Sequence, residues 1–419
     1  MSTETIRKKD DFVKTKFKIP YWWKVVFAFS LGWMFINANK YFLNPILDNI
    51  GLDYHLNNSQ LGLVNSIFFL TYTIAQIPAG SFADKFGRKK LLVIGFILYG
   101  VLTGVSGILA GFTGFLVARA LAGLASATYY GPQFALSSEA IPAKNRTVGS
   151  AIINSGSGLG IALGFILSST LVLDMGMSWR IPFYIFGVLT VLVGIVISLM
   201  VKENKKTMPK EATNEATKPE EKVSVLSLLK NRNLLVVFFV LFCSIYGFTV
   251  VVTWLPKYLL TERGFAGSEV GFISALVPLA AIPGALLFSY LTDKMGKKKP
   301  FAYILIPIAA IALWATVYVN SVPLLIVALV VYGLFGKIAL DPLLIAAVSE
   351  NVKESNYGVA FSLYNFMGML SSIIAPFFTG LLADLTGSMA SGFYSAVIVL
   401  CIGMIIMMFF KEEKKKASI

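Results

Sequence analysis

The chain has 419 residues, 56% of them hydrophobic and 14% charged, with a mean hydropathy of +0.74. A soluble protein of this length cannot hide that much apolar surface, so the composition excludes a water-soluble fold and makes the bilayer the natural solvent. The formal net charge of +14 does not indicate nucleic acid, because most of the 36 Lys and Arg fall in the termini and in one set of loops.

Residues 1–20 are polar and basic, with no short apolar run ahead of a small-residue site, so no cleavable leader is expected. Twelve apolar segments follow, each near the 20 or so residues that a spanning helix needs. The first six are Trp22–Pro45, Ser59–Phe82, Leu91–Leu109, Phe112–Ile141, Thr147–Leu173 and Ile181–Val201. Composition then changes abruptly: Lys202–Lys222 is dense in Lys, Glu, Thr and Pro and reads as a linker, and Val223–Leu229 is a short interfacial helix or ordinary linker. The second six are Leu234–Leu260, Ser268–Thr292, Pro300–Val319, Val322–Ser349, Tyr357–Leu385 and Ser391–Phe410. Cys243 and Cys401 both fall in apolar spans, so no disulfide framework is indicated.

One stretch organises this pattern. Gly80-Ser-Phe-Ala-Asp84-Lys-Phe-Gly87-Arg88-Lys89-Lys90 lies between the second and third segments, and the chain repeats it half a length later as Ser289-Tyr-Leu-Thr-Asp293-Lys-Met-Gly296-Lys297-Lys298-Lys299. Gly87 and Gly296 permit a tight turn, the bases hold the loop on the cytoplasmic side, and each Asp can pair with them or cap a helix. Pro132 and Pro342, Glu139 and Glu350, and Asn154 and Asn365 are further echoes at nearly the same offset. The order read is a tail at 1–21, a six-helix bundle at 22–201, a linker at 202–233, a second bundle at 234–410 and a tail at 411–419. Both tails are expected in the cytoplasm.

The repeated loop resembles the signature of the major facilitator superfamily, over essentially the whole chain. Arg119-Ala-Leu-Ala-Gly123 resembles the arginine motif of the fourth helix, and Glu139-Ala-Ile-Pro142-Ala-Lys-Asn-Arg146 its cytoplasmic exit. Trp179-Arg180-Ile-Pro-Phe183-Tyr184 and Trp254-Leu-Pro256-Lys-Tyr258 look most like the anion:cation symporters. Ile282-Pro283-Gly284 is similar to the organophosphate:phosphate antiporters. The resemblance implies an all-α membrane protein of two pseudo-symmetric six-helix bundles. It implies transport by alternating access, with the basic loops (Asp84, Gly87, Arg88, Asp293, Gly296) gating it. The symporters resemble an Asp-Arg pair where this chain has Asn39-Lys40, and often carry a proton-coupling glutamate where it has Ser126. Their proton route therefore does not transfer.

Intramembrane charges are costly and mark function. They are Lys40, Arg119, Lys257, Lys337 and Asp341, with Glu139 and Glu350 at helix ends. Lys40 lies about 18 residues into its helix, roughly 27 Å along it and past the midplane. Lys257 lies near the outer end of its span, where snorkelling is the simpler reading. Lys337 and Asp341 are four apart, so they share a face and can pair; the pair either neutralises itself structurally or carries coupling through protonation of Asp341. Candidate substrate-binding residues are Lys40, Asn39, Tyr41, Arg119, Tyr130, Asn154, Lys337, Tyr364 and Asn365, with Asp341 and Glu139 for proton coupling. Gly156, Gly160 and Gly164 recur every four residues and read as close helix packing rather than a nucleotide loop.

No zinc, nucleophile-triad or Walker pattern is present, so an enzyme or ATP-driven pump is not supported, and no cofactor or metal is expected. The excess of intramembrane cations favours a small organic anion as substrate, with protons as coupling ion, in a monomeric protein of a bacterial cytoplasmic membrane. Proton-driven export of drugs or amphiphiles is the alternative, and a transporter-like membrane sensor a third.

Overall fold

A backbone in hydrocarbon must satisfy its own N–H and C=O groups, and the apolar segments do so as helices. The structure, a computed structural model, describes residues 20–203, 225–295, 298–353 and 356–411. Residues 1–19 and 412–419 of the tails, most of the linker and Gly296 lie outside the described residues, and Asp293 is described at its backbone alone.

The first half comprises α1 (Tyr21–Tyr41), α2 (Leu47–Tyr54), α3 (Asn58–Phe86), α4 (Arg88–Ile108), α5 (Phe112–Ser126), α6 (Tyr130–Ala140), α7 (Arg146–Ser169) and α8 (Arg180–Met200). After the short α9 (Val225–Leu229), the second comprises α10 (Arg232–Thr261), α11 (Ser268–Met295), α12 (Lys299–Tyr318), α13 (Val322–Phe335), α14 (Lys337–Glu350), α15 (Tyr357–Thr386) and α16 (Ala390–Met408).

Among the described residues, 10 helical stretches are long and apolar enough to cross a membrane. The other two expected spans differ for physical reasons. Lys24, Asn37, Asn39 and Lys40 lower the hydropathy of α1. The fourth span is broken into α5 and α6, with the Thr128 and Tyr129 N–H groups donating three residues back to the Ala125 and Ser126 carbonyls, both at 3.3 Å. Pro132 then lacks the N–H that would continue the ladder. The tenth span breaks at the matching place, where extended Gly336 separates α13 from α14. The repeat read from the loops therefore extends to the irregularities of the helices.

Glycine brings helices together where side chains would hold them apart. A Cβ on Gly156 would come within 2.4 Å of the Ser30 carbonyl oxygen, and one on Gly160 within 2.0 Å of that of Met34. The four-residue glycine row thus seats α7 directly on the backbone of α1, as helix packing requires. Large apolar side chains such as Ile77, Leu199, Ile311 and Tyr318 remain exposed around the outside. Such a continuous apolar belt is lipid-facing surface.

The two faces of the bundle differ. One carries the α3–α4 turn at Gly87, whose φ of +97° suits glycine. The opposite face carries α2 and the ends of α10 and α15.

Candidate functional site

Between the halves lies a cavity of about 630 Å³, within the range of small-molecule sites. Its lining reaches from Lys40 down to Ser150, Ser289 and Ile345, near the ends of α7, α11 and α14 that approach the Gly87 face. Lys40, Tyr41, Tyr130, Asn154, Lys337, Tyr364 and Asn365 all line it, together with Asp341.

Lys40 is the central feature. It stands at the last turn of α1, buried, with its ammonium 4.3 Å from the centre of the Tyr72 ring. Among the described residues no carboxylate lies within ion-pair distance of it. A cation in this position is held by a ring face, a favourable but incomplete substitute for an anion. Lys337 differs: its ammonium forms an ion pair with Asp341 one turn away, as their spacing predicts. Tyr130 from the first half and Tyr364 from the second lie within electrostatic reach of Asp341, so this acid faces both halves.

Two expected substrate contacts are not cavity residues. Asn39 is fully buried, and its Nδ2 donates to Thr190 Oγ1 at 3.1 Å, which ties α1 to α8. Consecutive helical residues point about 100° apart, and Asn39 falls on the side of α1 that packs on α8 while Lys40 and Tyr41 fall on the cavity side. Arg119 is likewise fully buried, behind Phe68, with its guanidinium 4.8 Å from that ring's centre. Its Nε, Nη1 and Nη2 have no hydrogen-bond partner among the described residues.

Glu139, a candidate for coupling, belongs to a charge cluster on the Gly87 face. Its Oε1 accepts from Arg88 Nη1 at 2.7 Å, Arg88 also reaches Asp84 Oδ1 at 3.3 Å, and Glu203 Oε1 accepts the Arg88 backbone N–H at 2.7 Å. All four residues lie in the first half or at its exit. Glu139 does not line the cavity. Glu350, its echo, pairs with Lys298 in the second half.

Lys257 does not snorkel. Its side chain is 12% exposed, and its Nζ lies 2.8 Å from Asp48 Oδ1. The partner was hidden in what reads as a loop, because a short helix, α2, follows α1 there and carries Asp48 in its first turn. Close by, Asp384 at the end of α15 accepts from the backbone N–H groups of Asn58 and Ser59, at 2.9 and 2.8 Å, and from both side chains. These N–H groups open α3, where a carboxylate complements the helix dipole. Asn44 Nδ2 adds a bond to the Val252 carbonyl at 2.7 Å. On the side of the cavity nearer the Gly87 face, Asn365 Nδ2 donates to Gln76 Oε1 at 2.7 Å.

Several cavity residues carried no individual signal in the sequence. Tyr72, Trp33, Phe134 and Phe248 are aromatic residues in aromatic-rich spans, and only their placement marks them.

Two overlapping stretches, residues 25–267 and 237–419, match the Major Facilitator Superfamily. The cis,cis-muconate transport protein of Acinetobacter baylyi is 27% identical over 402 residues, which cover 94% of this chain and 95% of that one. The hexuronate transporter of Bacillus subtilis is 24% identical over 361 residues, covering 82% and 84%. Among solved structures, a D-xylose-proton symporter superposes with a TM-score of 0.79 at 16% identity, covering 94% of this chain and 98% of that one. With a paired-bundle fold, a cavity between the bundles and a family match along nearly its full length, this chain belongs to the major facilitator superfamily.

Proposed function

We propose that this protein moves a small organic anion across a cytoplasmic membrane by alternating access of its two halves, with a proton as the coupling ion. The observation that carries the reading is Lys40, a buried cation on the cavity wall with an aromatic ring rather than an acid beside it. Holding such a charge is costly unless a ligand neutralises it during the cycle. Relatives named for muconate and hexuronate handle carboxylates, in keeping with an anionic ligand.

The ion pair of Lys337 and Asp341 supplies a coupling device at the same cavity. While paired, Asp341 is supported as an anion; when substrate or a rearrangement draws Lys337 away, a proton can take its place. On this reading the Gly87 face is cytoplasmic, both tails lie there, the Arg88 cluster gates that side and the protein works as a monomer. Bonds between the halves on the opposite face then hold an inward-facing state.

Counterflow of a labelled carboxylate in liposomes, with and without a pH gradient, tests this. Uptake that needs Lys40 and rises with the gradient is expected. A neutral amphiphile moved equally by wild type and Lys40→Ala would instead indicate drug export.

A further inference from the structure

We propose that the cavity takes a planar aromatic monocarboxylate, with its carboxylate on Lys40 and its ring against the aromatic wall of the first half. This narrows the organic-anion reading and rests on it.

Charge sets the number of carboxylates. Two cations, Lys40 and Lys337, and one acid, Asp341, line the cavity among the described residues, and the acid is already paired with Lys337. One positive charge is left to balance. A second carboxylate could be held only by taking Lys337 from Asp341, with that acid protonated to avoid like-charge repulsion, whereas one carboxylate on Lys40 leaves the pair intact.

Shape and chemistry set the body. Trp33 and Tyr130 meet edge to face, with ring centres 5.9 Å apart, and Tyr130 meets Phe134 at 5.0 Å. Trp33 is fixed in turn by donating its Nε1–H to Gln133 Oε1 at 3.0 Å. Tyr130 and Phe134 are 40% and 38% exposed, a large opening for aromatic residues in the middle of a bundle. Beyond Lys40, Tyr72 and Phe69 continue the apolar lining toward Tyr41. Preformed aromatic surface of this kind favours stacked or edge-on rings.

The polar groups argue the same way. A polyhydroxylated acid needs a partner for each hydroxyl, because a polar group buried unpaired costs about 1–3 kcal/mol. Here Asn37 donates to the Trp33 carbonyl, Ser155 to that of Ala151, and Asn365 to Gln76, while Thr249 and Ser372 bond each other. These groups are engaged by the protein itself, while Asn154, Ser157 and Tyr364 in the same lining are left for a few polar substituents of the ligand. A ring asks for none of them.

The test is calorimetric binding to the purified full-length protein with three probes: benzoate, its neutral isostere benzamide, and D-glucarate, a polyhydroxylated dianion. Benzoate should bind at least tenfold tighter than either. Lys40→Ala should erase the preference for benzoate over benzamide, and Phe134→Ala should weaken both several-fold. The wild-type ranking alone decides the proposal if a variant fails to fold. D-Glucarate bound more tightly than benzoate, in a Lys40-dependent way, overturns the aromatic proposal and leaves the organic-anion reading standing. Benzamide binding as well as benzoate, with D-glucarate not binding, removes both.

Discussion

Lys257 Nζ lies 2.8 Å from Asp48 Oδ1, and these residues belong to different halves of the molecule. Together with Asp384 of α15, which accepts from the N–H groups of the first turn of α3, the pair ties the halves on the face opposite Gly87. Alternating access requires such ties to break and re-form once per cycle, so their strength sets the population of each state. Lys257→Met or Asp48→Asn should raise the population open at that face by roughly fivefold or more, the scale of typical conformational couplings. Labelling of a single cysteine placed on α2, in a background lacking Cys243 and Cys401, measures this. The exchanged pair, Lys257→Asp with Asp48→Lys, should restore wild-type labelling. Unchanged labelling in both single variants would show the pair to be ornamental.

Asp341 faces both halves and pairs with Lys337. Asp341→Asn should abolish accumulation driven by a pH gradient while leaving gradient-free exchange of substrate partly intact. Lys337→Ala/Asp341→Ala should melt above either single variant, because no half-buried charge is left alone. Accumulation by Asp341→Asn with the wild-type pH dependence would make the pair structural and move coupling elsewhere.

Gly62 and Gly380 sit where the halves touch. A Cβ on Gly62 would lie 2.2 Å from the Pro376 carbonyl oxygen, and one on Gly380 2.2 Å from that of Asn58. Backbone cannot step aside as a side chain can, so Gly62→Ala should wedge the halves apart and cut the transport rate at least tenfold. Gly80 and Gly104 are the controls: nothing lies within 4 Å of a Cβ there. Alanine at Gly104 should leave transport intact and stabilise its helix by about 0.5–1 kcal/mol. Equal rates for Gly62→Ala and Gly104→Ala would refute the close contact.

Arg119 presents three guanidinium nitrogens with no partner among the described residues. A buried charge without a partner is destabilising, and apolar replacements of similar volume are often neutral or stabilising. Arg119→Met should therefore melt at or above the wild-type temperature and yet transport poorly, with Arg119→Lys in between. A large loss of thermal stability in Arg119→Met would mean that the guanidinium holds the bundle together.

How much was readable depended on whether the partner lay nearby in the chain. The pair Lys337 and Asp341 is one helical turn apart, so its geometry followed from spacing alone. The glycine row of α7 was legible for the same reason. Lys257 and Asp48 were not, because pairing across two halves depends on how helices are arranged, which spacing does not encode. Asn39 and Arg119 show a second limit. With polar residues at Asn37, Asn39 and Lys40, α1 has no single polar stripe, and periodicity could not say which would face the cavity. The breaks at residues 127–129 and at Gly336 were missed because a long apolar run hides a local turn.

The ring beneath Lys40 has an electrical consequence. Tyr72 stabilises the ammonium without cancelling it, so the empty protein carries one more positive charge in its centre than the protein loaded with a monoanion. A unit charge crossing the whole membrane field does about 2.3 kcal/mol of work per 100 mV, and one crossing part of it does a proportionate share. Loaded with the anion alone, the centre is neutral and its passage is electrically silent; loaded with the anion and a proton on Asp341, it carries the same single charge as the empty protein, so in the coupled cycle voltage acts equally and oppositely on the two legs. Exchange of one anion for another without the proton escapes that dependence altogether.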